Sequence, residues 1–266
     1  MKQFDKRMNV LNGGKKNIVD VILSGSFDTV VDLGCGQCVI EKALIDAGFT
    51  GHVICVDIIR PKLVGTYAKR IDFVCADLKE FCSVGALCKN ETGRTCFILS
   101  AVLHECDSAT RNSVSSFLSK VAKKDDTLLV REPYYTDLFF KRNTGDILIT
   151  YAADALDKKE MKKLESYLLA DKKAHTNVPI AIGIVNYAFV RFYGRRAWKR
   201  ELHEGRYTFS KKQLVSFISR SGFIVEDLRF EKDEGYKGLT LGTYPLYDKI
   251  AYTSCLFVAR KGEEVE

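Results

Sequence analysis

The chain has 266 residues, enough for one sizeable α/β domain carrying an insertion or for two small domains, and its 46% hydrophobic and 28% charged content matches a soluble globular protein. Only 4 prolines argue against extended linkers, and 41 basic against 34 acidic residues leave a net charge of +7, a moderate excess that favours anionic partners. The longest apolar stretch, Val178 to Val190, is too short to span a bilayer, and Met1 to Val10 lacks the apolar region of a secretory leader, so a cytoplasmic location with no membrane span is expected.

From Phe27 onward, short β-branched runs alternate with helix-like stretches, the pattern of βαβ units in a mostly parallel sheet. Thr29 to Leu33 reads as the first strand, Glu41 to Ala47 as a crossover helix stopped by Gly48, and His52 to Ile58 as a second, buried-type strand. Asp72 to Cys75, Cys96 to Ser100 and Thr127 to Arg131 follow as strands three to five, the last two joined by a helix over Ala109 to Ala122. The rhythm then breaks. Ala152 to Leu169 is a charged amphipathic helix pattern, and Pro179 to Leu202 an aromatic-rich one, so the region reads as a helical insertion. Ser210 is placed to cap a helix over Lys211 to Ser221, Gly222 to stop it, and Phe223 to Phe230 to form a strand. Glu231 to Asp248 is rich in turn residues, and Tyr252 to Arg260 is the closing strand. The expected organisation is a cofactor-binding core over 1–135, an insertion over 136–206 acting as a substrate lid, and completion of the core sheet over 207–266.

The segment Val30-Val31-Asp32-Leu33-Gly34-Cys35-Gly36-Gln37-Cys38 runs from an apolar strand into a glycine turn and then a helix. Such glycines bring main-chain atoms close to a ligand at the strand's carboxyl end. Asp57, ending the second strand 21 residues after Gly36, has the spacing of a carboxylate that accepts from both hydroxyls of a ribose. A dinucleotide site is disfavoured because its G-x-G-x-x-G pattern needs glycine or alanine where this chain has Val39. Each feature also has a plain structural explanation: the glycines turn the chain, and Asp57 and Asp77 cap helices.

Asp32-Leu33-Gly34-Cys35-Gly36 resembles the first motif of the class I S-adenosylmethionine-dependent methyltransferases, with Cys38 standing where many members carry a third glycine. The resemblance extends to Asp77 and Leu78 after strand three, at the family's adenine-binding positions, and to Ser100 and Ala101 after strand four, where the chain passes the methionine moiety. It covers about 27–135 and, more loosely, 207–262. It implies a doubly wound α/β fold with a mostly parallel seven-stranded sheet and an antiparallel last strand. It also implies S-adenosylmethionine as cofactor, held by Asp32, Gly34, Cys35, Gly36, Asp57, Ile58, Asp77, Leu78, Ser100 and Ala101.

For the transfer step, His104 is the first candidate for a general base, since imidazole titrates near neutral pH and follows strand four. Its structural alternative is to start a helix or to bond Glu105 or Glu132. Glu132, after strand five, is the second candidate, with a surface pairing to Arg131 as the alternative. In the insertion, Tyr187, Phe189, Phe192, Tyr193 and Trp198 form an aromatic set beside Arg191, Arg195, Arg196, Lys199 and Arg200, while His175 and His203 fall within the same lid region. These residues fit a packed lid, a pocket for an anionic small molecule, or an RNA-binding face. The turn after strand four lacks the Asn/Asp-Pro-Pro-aromatic pattern of base-amino methyltransferases, and no proline precedes a cysteine, so the cytosine-carbon mechanism is excluded. The expected acceptor is oxygen or nitrogen on a small or medium-sized molecule; RNA or protein as substrate and a non-catalytic scaffold are the alternatives.

Nine cysteines, an odd number, argue against a disulfide framework, and Cys55, Cys75, Cys96 and Cys255 fall in strand-like runs as expected buried thiols. Cys35 and Cys38 have C-x-x-C spacing, but the sequence offers no second pair or histidine cluster to complete a zinc site, so no metal is expected.

Overall fold

The computed structural model describes residues 11, 13–84, 93–134, 209–232, 234, 237–238, 248 and 253–262. Contacts divide the chain into two units: Asn9–Pro133, Phe209–Glu231 and Cys255–Glu266 form one, and Met1–Met8, Tyr134–Thr208 and Lys232–Ser254 the other. The helices expected over 152–169 and 179–202, with the aromatic and basic residues of that segment and His175 and His203, lie outside the described residues.

The described strands are β1 Thr29–Leu33, β2 His52–Asp57, β3 Ile71–Cys75, β4 Thr95–Ser100, β5 Thr127–Pro133, β6 Phe223–Glu231 and β7 Ser254–Lys261. The described helices are α1 Gly13–Ser24, α2 Val39–Asp46, α3 Thr66–Arg70, α4 Leu78–Val84, α5 Ser108–Val121 and α6 Lys211–Arg220. The sheet order is β3-β2-β1-β4-β5-β7-β6. β1 pairs in parallel with β2 and β4, as do β2 with β3 and β4 with β5. The last strand, β7, is antiparallel and enters between β5 and β6. This is the doubly wound α/β architecture that the resemblance implied; the described strands and the helices α2, α5 and α6 lie within about two residues of the bounds read from the sequence, whereas α1, α3 and α4 were not read there.

The order reverses at β1, whose neighbours are β2 on one side and β4 on the other, and that is where an open parallel sheet forms a crevice beyond its carboxyl ends. Alternation along the strands separates the two faces. Val30 of β1, Val53 and Cys55 of β2, and Cys96 and Ile98 of β4 pack with Ile18 and Ile22 of α1 and Ile40 and Leu44 of α2. Phe97 of β4 meets Phe223 of β6 edge to face at 6.4 Å, and Phe81 of α4 meets Phe117 of α5 at 5.5 Å. The central strands β1 and β4 are almost wholly buried, as their largely apolar sequences require, with the acid Asp32 buried among them on β1.

One expectation about the thiols needs correcting. Cys55, Cys96 and Cys255 are buried, but Cys75 is exposed. Its strand, β3, ends the sheet, so an apolar run there need not be covered on both faces.

Candidate active site

The chain leaves β1 through Gly34, whose φ is +92°, and a Cβ there would overlap the Val102 side chain after β4. Only glycine fits both the angle and the close approach of the two loops. Gly36, at φ +54°, is the opposite case, because a Cβ there would meet nothing within 4 Å. Open space lies over its main chain, where a ligand's atoms could sit. Cys38, the residue in place of a third glycine, adopts the left-handed conformation at φ 53° and ψ 45° and precedes α2. The backbone thus takes the glycine-favoured path with a cysteine in it, a strain of order 1 kcal/mol or more.

Asp57 ends β2 beside this loop. Its Oδ2 accepts from Gly36 N–H at 2.8 Å and its Oδ1 from Ile59 N–H at 3.0 Å. Those donors fix the carboxylate, and each oxygen keeps a second lone pair for another donor. Ile58 and Ile59, which follow, are 64% and 65% exposed, a large apolar surface for residues beside a polar crevice. Ile59 was not singled out from the sequence; an unbroken pair of aliphatics directly after the acid was the available signal. Ala76 N–H donates to Asp57 carbonyl oxygen at 3.1 Å, so the ends of β2 and β3 are tied together. Asp77 is exposed, and its Oδ1 accepts from Lys79 N–H at 2.8 Å, which caps α4. Leu78, expected beside an adenine ring, is buried in the first turn of that helix.

At the end of β4, Ser100 Oγ is buried with no hydrogen-bond partner among the described residues. Ala101 follows at φ +58°, its N–H donating to Arg131 carbonyl oxygen at 2.6 Å. Glu132 of β5 is fully buried, which rules out the surface pairing with Arg131. Its Oε1 accepts from Val102 N–H at 3.0 Å and Leu103 N–H at 2.8 Å, while its Oε2 lies 2.7 Å from His104 Nδ1. A carboxylate only accepts, so the neutral imidazole carries its proton on Nδ1 and leaves Nε2 as the basic nitrogen. That Nε2 is 3.8 Å from Glu105 Oε1. Of the two partners named for His104 from the sequence, Glu132 is hydrogen-bonded to it and Glu105 stands beyond hydrogen-bond distance, so the site pairs a buried imidazole with a carboxylate that also fixes the turn after β4.

Beneath the loop, Asp32 on β1 and Glu41 on α2 are both buried. Burial pushes Asp32 up to about 6 and Glu41 well above the usual carboxylate range. Glu41 oxygens and Asp32 Oδ1 have no donor from other groups among the described residues, so a proton held by Glu41 makes it the donor to Asp32. Lys15 of α1 is attracted by both acids, yet burial holds its ammonium down to about 8.

Gly34, Asp57 and Asp77 thus follow three parallel strands that are neighbours in the sheet, at one edge. Fit for a nucleoside-bearing cofactor rests on the open space above Gly36, the lone pairs of Asp57 and the orphaned Ser100 hydroxyl. The chain has the fold of the class I S-adenosylmethionine-dependent methyltransferases. This methyltransferase fold is similar to the 1,6-didemethyltoxoflavin N1-methyltransferase of Burkholderia thailandensis, solved with 1,6-didemethyltoxoflavin and S-adenosylhomocysteine bound. The two share 12% identity over 96% of this chain and 80% of that one, with a TM-score of 0.52. A methyltransferase of Methanosarcina mazei is similar at 15% identity over 92% and 98% of the two chains, with a TM-score of 0.51. Human N-acetylserotonin methyltransferase, solved with S-adenosylmethionine, is similar at 14% identity and a TM-score of 0.50; 94% of this chain covers 52% of its length. No family model matches the sequence, and no curated protein does. Among the described residues, no helix is long and apolar enough to cross a membrane.

Proposed function

We propose that the chain is an S-adenosylmethionine-dependent methyltransferase acting on oxygen or nitrogen of a small or medium-sized acceptor. The observation that carries the reading is the bond from Gly36 N–H to Asp57 Oδ2 at 2.8 Å, which joins the glycine loop to the acid at the carboxyl edge of the sheet. In this reading Asp57 accepts from the ribose hydroxyls, and the main chain of Gly34, Cys35 and Gly36 lies against the methionine portion, with Asp32 beneath. Ile58 covers the adenine ring, Asp77 and Leu78 mark its far end, and Ser100 and Ala101 border the methionine portion. When bound, the cofactor supplies an electrophilic methyl group on a sulfonium sulfur.

Displacement at such a methyl asks chiefly for an aligned nucleophile and little water. A hydroxyl or protonated amine must also lose a proton, and we assign that proton to His104 Nε2. Glu132 is then a positioning residue: it fixes the tautomer and steadies the imidazolium that forms. The lid role of the insertion over 136–206 and a cytoplasmic location belong to the same proposal. The small-molecule neighbours favour a small acceptor over RNA or protein.

Calorimetric titration with S-adenosylmethionine and S-adenosylhomocysteine tests the reading. The unaltered chain should bind both, and Asp57→Ala should bind roughly 10- to 100-fold more weakly, the worth of one or two hydrogen bonds to a charged group. Equal affinity in the variant would remove Asp57 from the site, and no binding by the unaltered chain would overturn the cofactor assignment.

A further inference from the structure

The glycine loop contains an arrangement that the cofactor reading leaves unused. Cys35 and Cys38 flank Gly36 and Gln37, and Cys55 comes up beneath them from β2, on the face of that strand that packs against α2. The three Sγ atoms lie within 4.8 Å of one another, with Cys35 and Cys38 3.6 Å apart. Cys38 and Cys55 are fully buried, while Cys35 is partly exposed and gives a path to solvent. The Cys38 side chain makes no capping bond to α2, although it stands at the cap position and its left-handed backbone carries strain. Its thiol is turned inward to the other two sulfurs instead.

Metal–sulfur bonds of about 2.3 Å put the sulfurs of a trigonal site about 4.0 Å apart and those of a tetrahedral site about 3.8 Å apart. The Cys35–Cys38 pair at 3.6 Å is close to that spacing, and Cys55 Sγ lies within 4.8 Å of both. A Cys35–Cys38 disulfide would need the sulfurs to close to about 2.0 Å and would leave Cys55 out. Among the described residues, no histidine or carboxylate joins the group. Three soft sulfurs with no fourth protein ligand among the described residues fill the trigonal shell of a monovalent d10 ion, whereas zinc would still have to take a water or another ligand, and oxygen-seeking ions are disfavoured. Two features favour negative charge there: Lys42 Nζ donates to Gln37 carbonyl oxygen at 2.9 Å, and α2 begins at Val39, the residue after Cys38.

We propose that Cys35, Cys38 and Cys55 form a three-thiolate site for copper(I) beneath the glycine loop. Each thiol that still carries a proton releases it to solvent as its copper–sulfur bond forms. The site stands independently of the cofactor reading and is tested without cofactor.

The reduced full chain, in oxygen-free buffer, competes for copper(I) with a coloured chelator, while zinc(II) is titrated in parallel with a metal-sensitive dye. The chain should withdraw one copper(I), with X-ray absorption at the copper edge counting three sulfurs. Cys35→Ser and Cys38→Ser should each weaken binding at least about 100-fold, since loss of a mere supporting partner already costs 10- to 100-fold. Cys55→Val, which keeps a buried β-former in β2, should do the same with unchanged circular dichroism, and Cys75→Ser, an exposed thiol elsewhere, should change nothing. Copper(I) left on the chelator, Cys38→Ser binding as tightly as the unaltered chain, a two-sulfur spectrum, or uptake of zinc alone would each overturn the assignment.

Discussion

Burial gives Asp32 an electrostatic cost. In the unfolded chain its carboxyl ionises near 3.8, but burial in the fold raises it to about 6. Between about pH 4 and pH 6 the folded chain retains a proton that the unfolded chain has released. Its contribution to stability therefore falls as pH rises through that window and stays low above it, by at most about 3 kcal/mol. Asp32→Asn does not titrate, so its unfolding free energy minus that of the unaltered chain should grow from pH 4 to pH 6 in urea titrations. A pH-independent difference would mean that the acid ionises normally. Glu132 and His104 give a second test at this scale. In Glu132→Gln the amide oxygen can still accept from Val102 and Leu103 N–H, but the amide nitrogen would face His104 Nδ1 as a donor. The imidazole proton should move to Nε2, and nitrogen-15 shifts of His104 should report opposite tautomers in the two proteins. The sequence made Asp57 legible through its distance from Gly36. It named Glu132 as one of two possible partners for His104 but could not choose it, because 28 residues separate the two and the pairing of β4 with β5 brings them together.

Among the elements, α6 illustrates how much a local pattern determines. Ser210 Oγ accepts from Gln213 N–H at 3.3 Å while Gln213 Oε1 accepts from Ser210 N–H at 2.8 Å, a reciprocal cap contained in four residues. Ser210→Ala should lower stability by about 1 kcal/mol, read from denaturant midpoints at unchanged slope. No change would mean that the cap is not formed in solution. Strands were legible where β-branched and apolar residues dominate a short run, as in β1, whose bounds match the sequence reading. The short helices α3 and α4 escaped it, since 5 and 7 residues hold too few turns for a helical period to stand out. Cys38 was read as a compact substitute for glycine; its left-handed backbone and buried thiol depend on what packs beneath the loop.

For the molecule as a whole, the decisive feature is the placement of β7. The final strand enters between β5 and β6, so β6 reaches the sheet only through it. Cys255, Leu256 and Phe257 of β7 are buried, and burying one large apolar side chain contributes roughly 1.5–3 kcal/mol. A chain ended at Thr253 forfeits several such contributions against a total stability of about 5–15 kcal/mol. It should therefore lose its cooperative unfolding transition; a sharp transition at an unchanged midpoint would show that the remaining strands close without β7. The sequence by itself determined the alternation of strands and helices, the glycine turn and the acid at the end of β2, because periodicity, backbone freedom and short spacings are properties of neighbouring residues. Only the tertiary structure decided the strand order, the burial of Glu132 against His104 and the meeting of Cys55 with Cys35 and Cys38, because these depend on which distant segments the sheet sets side by side.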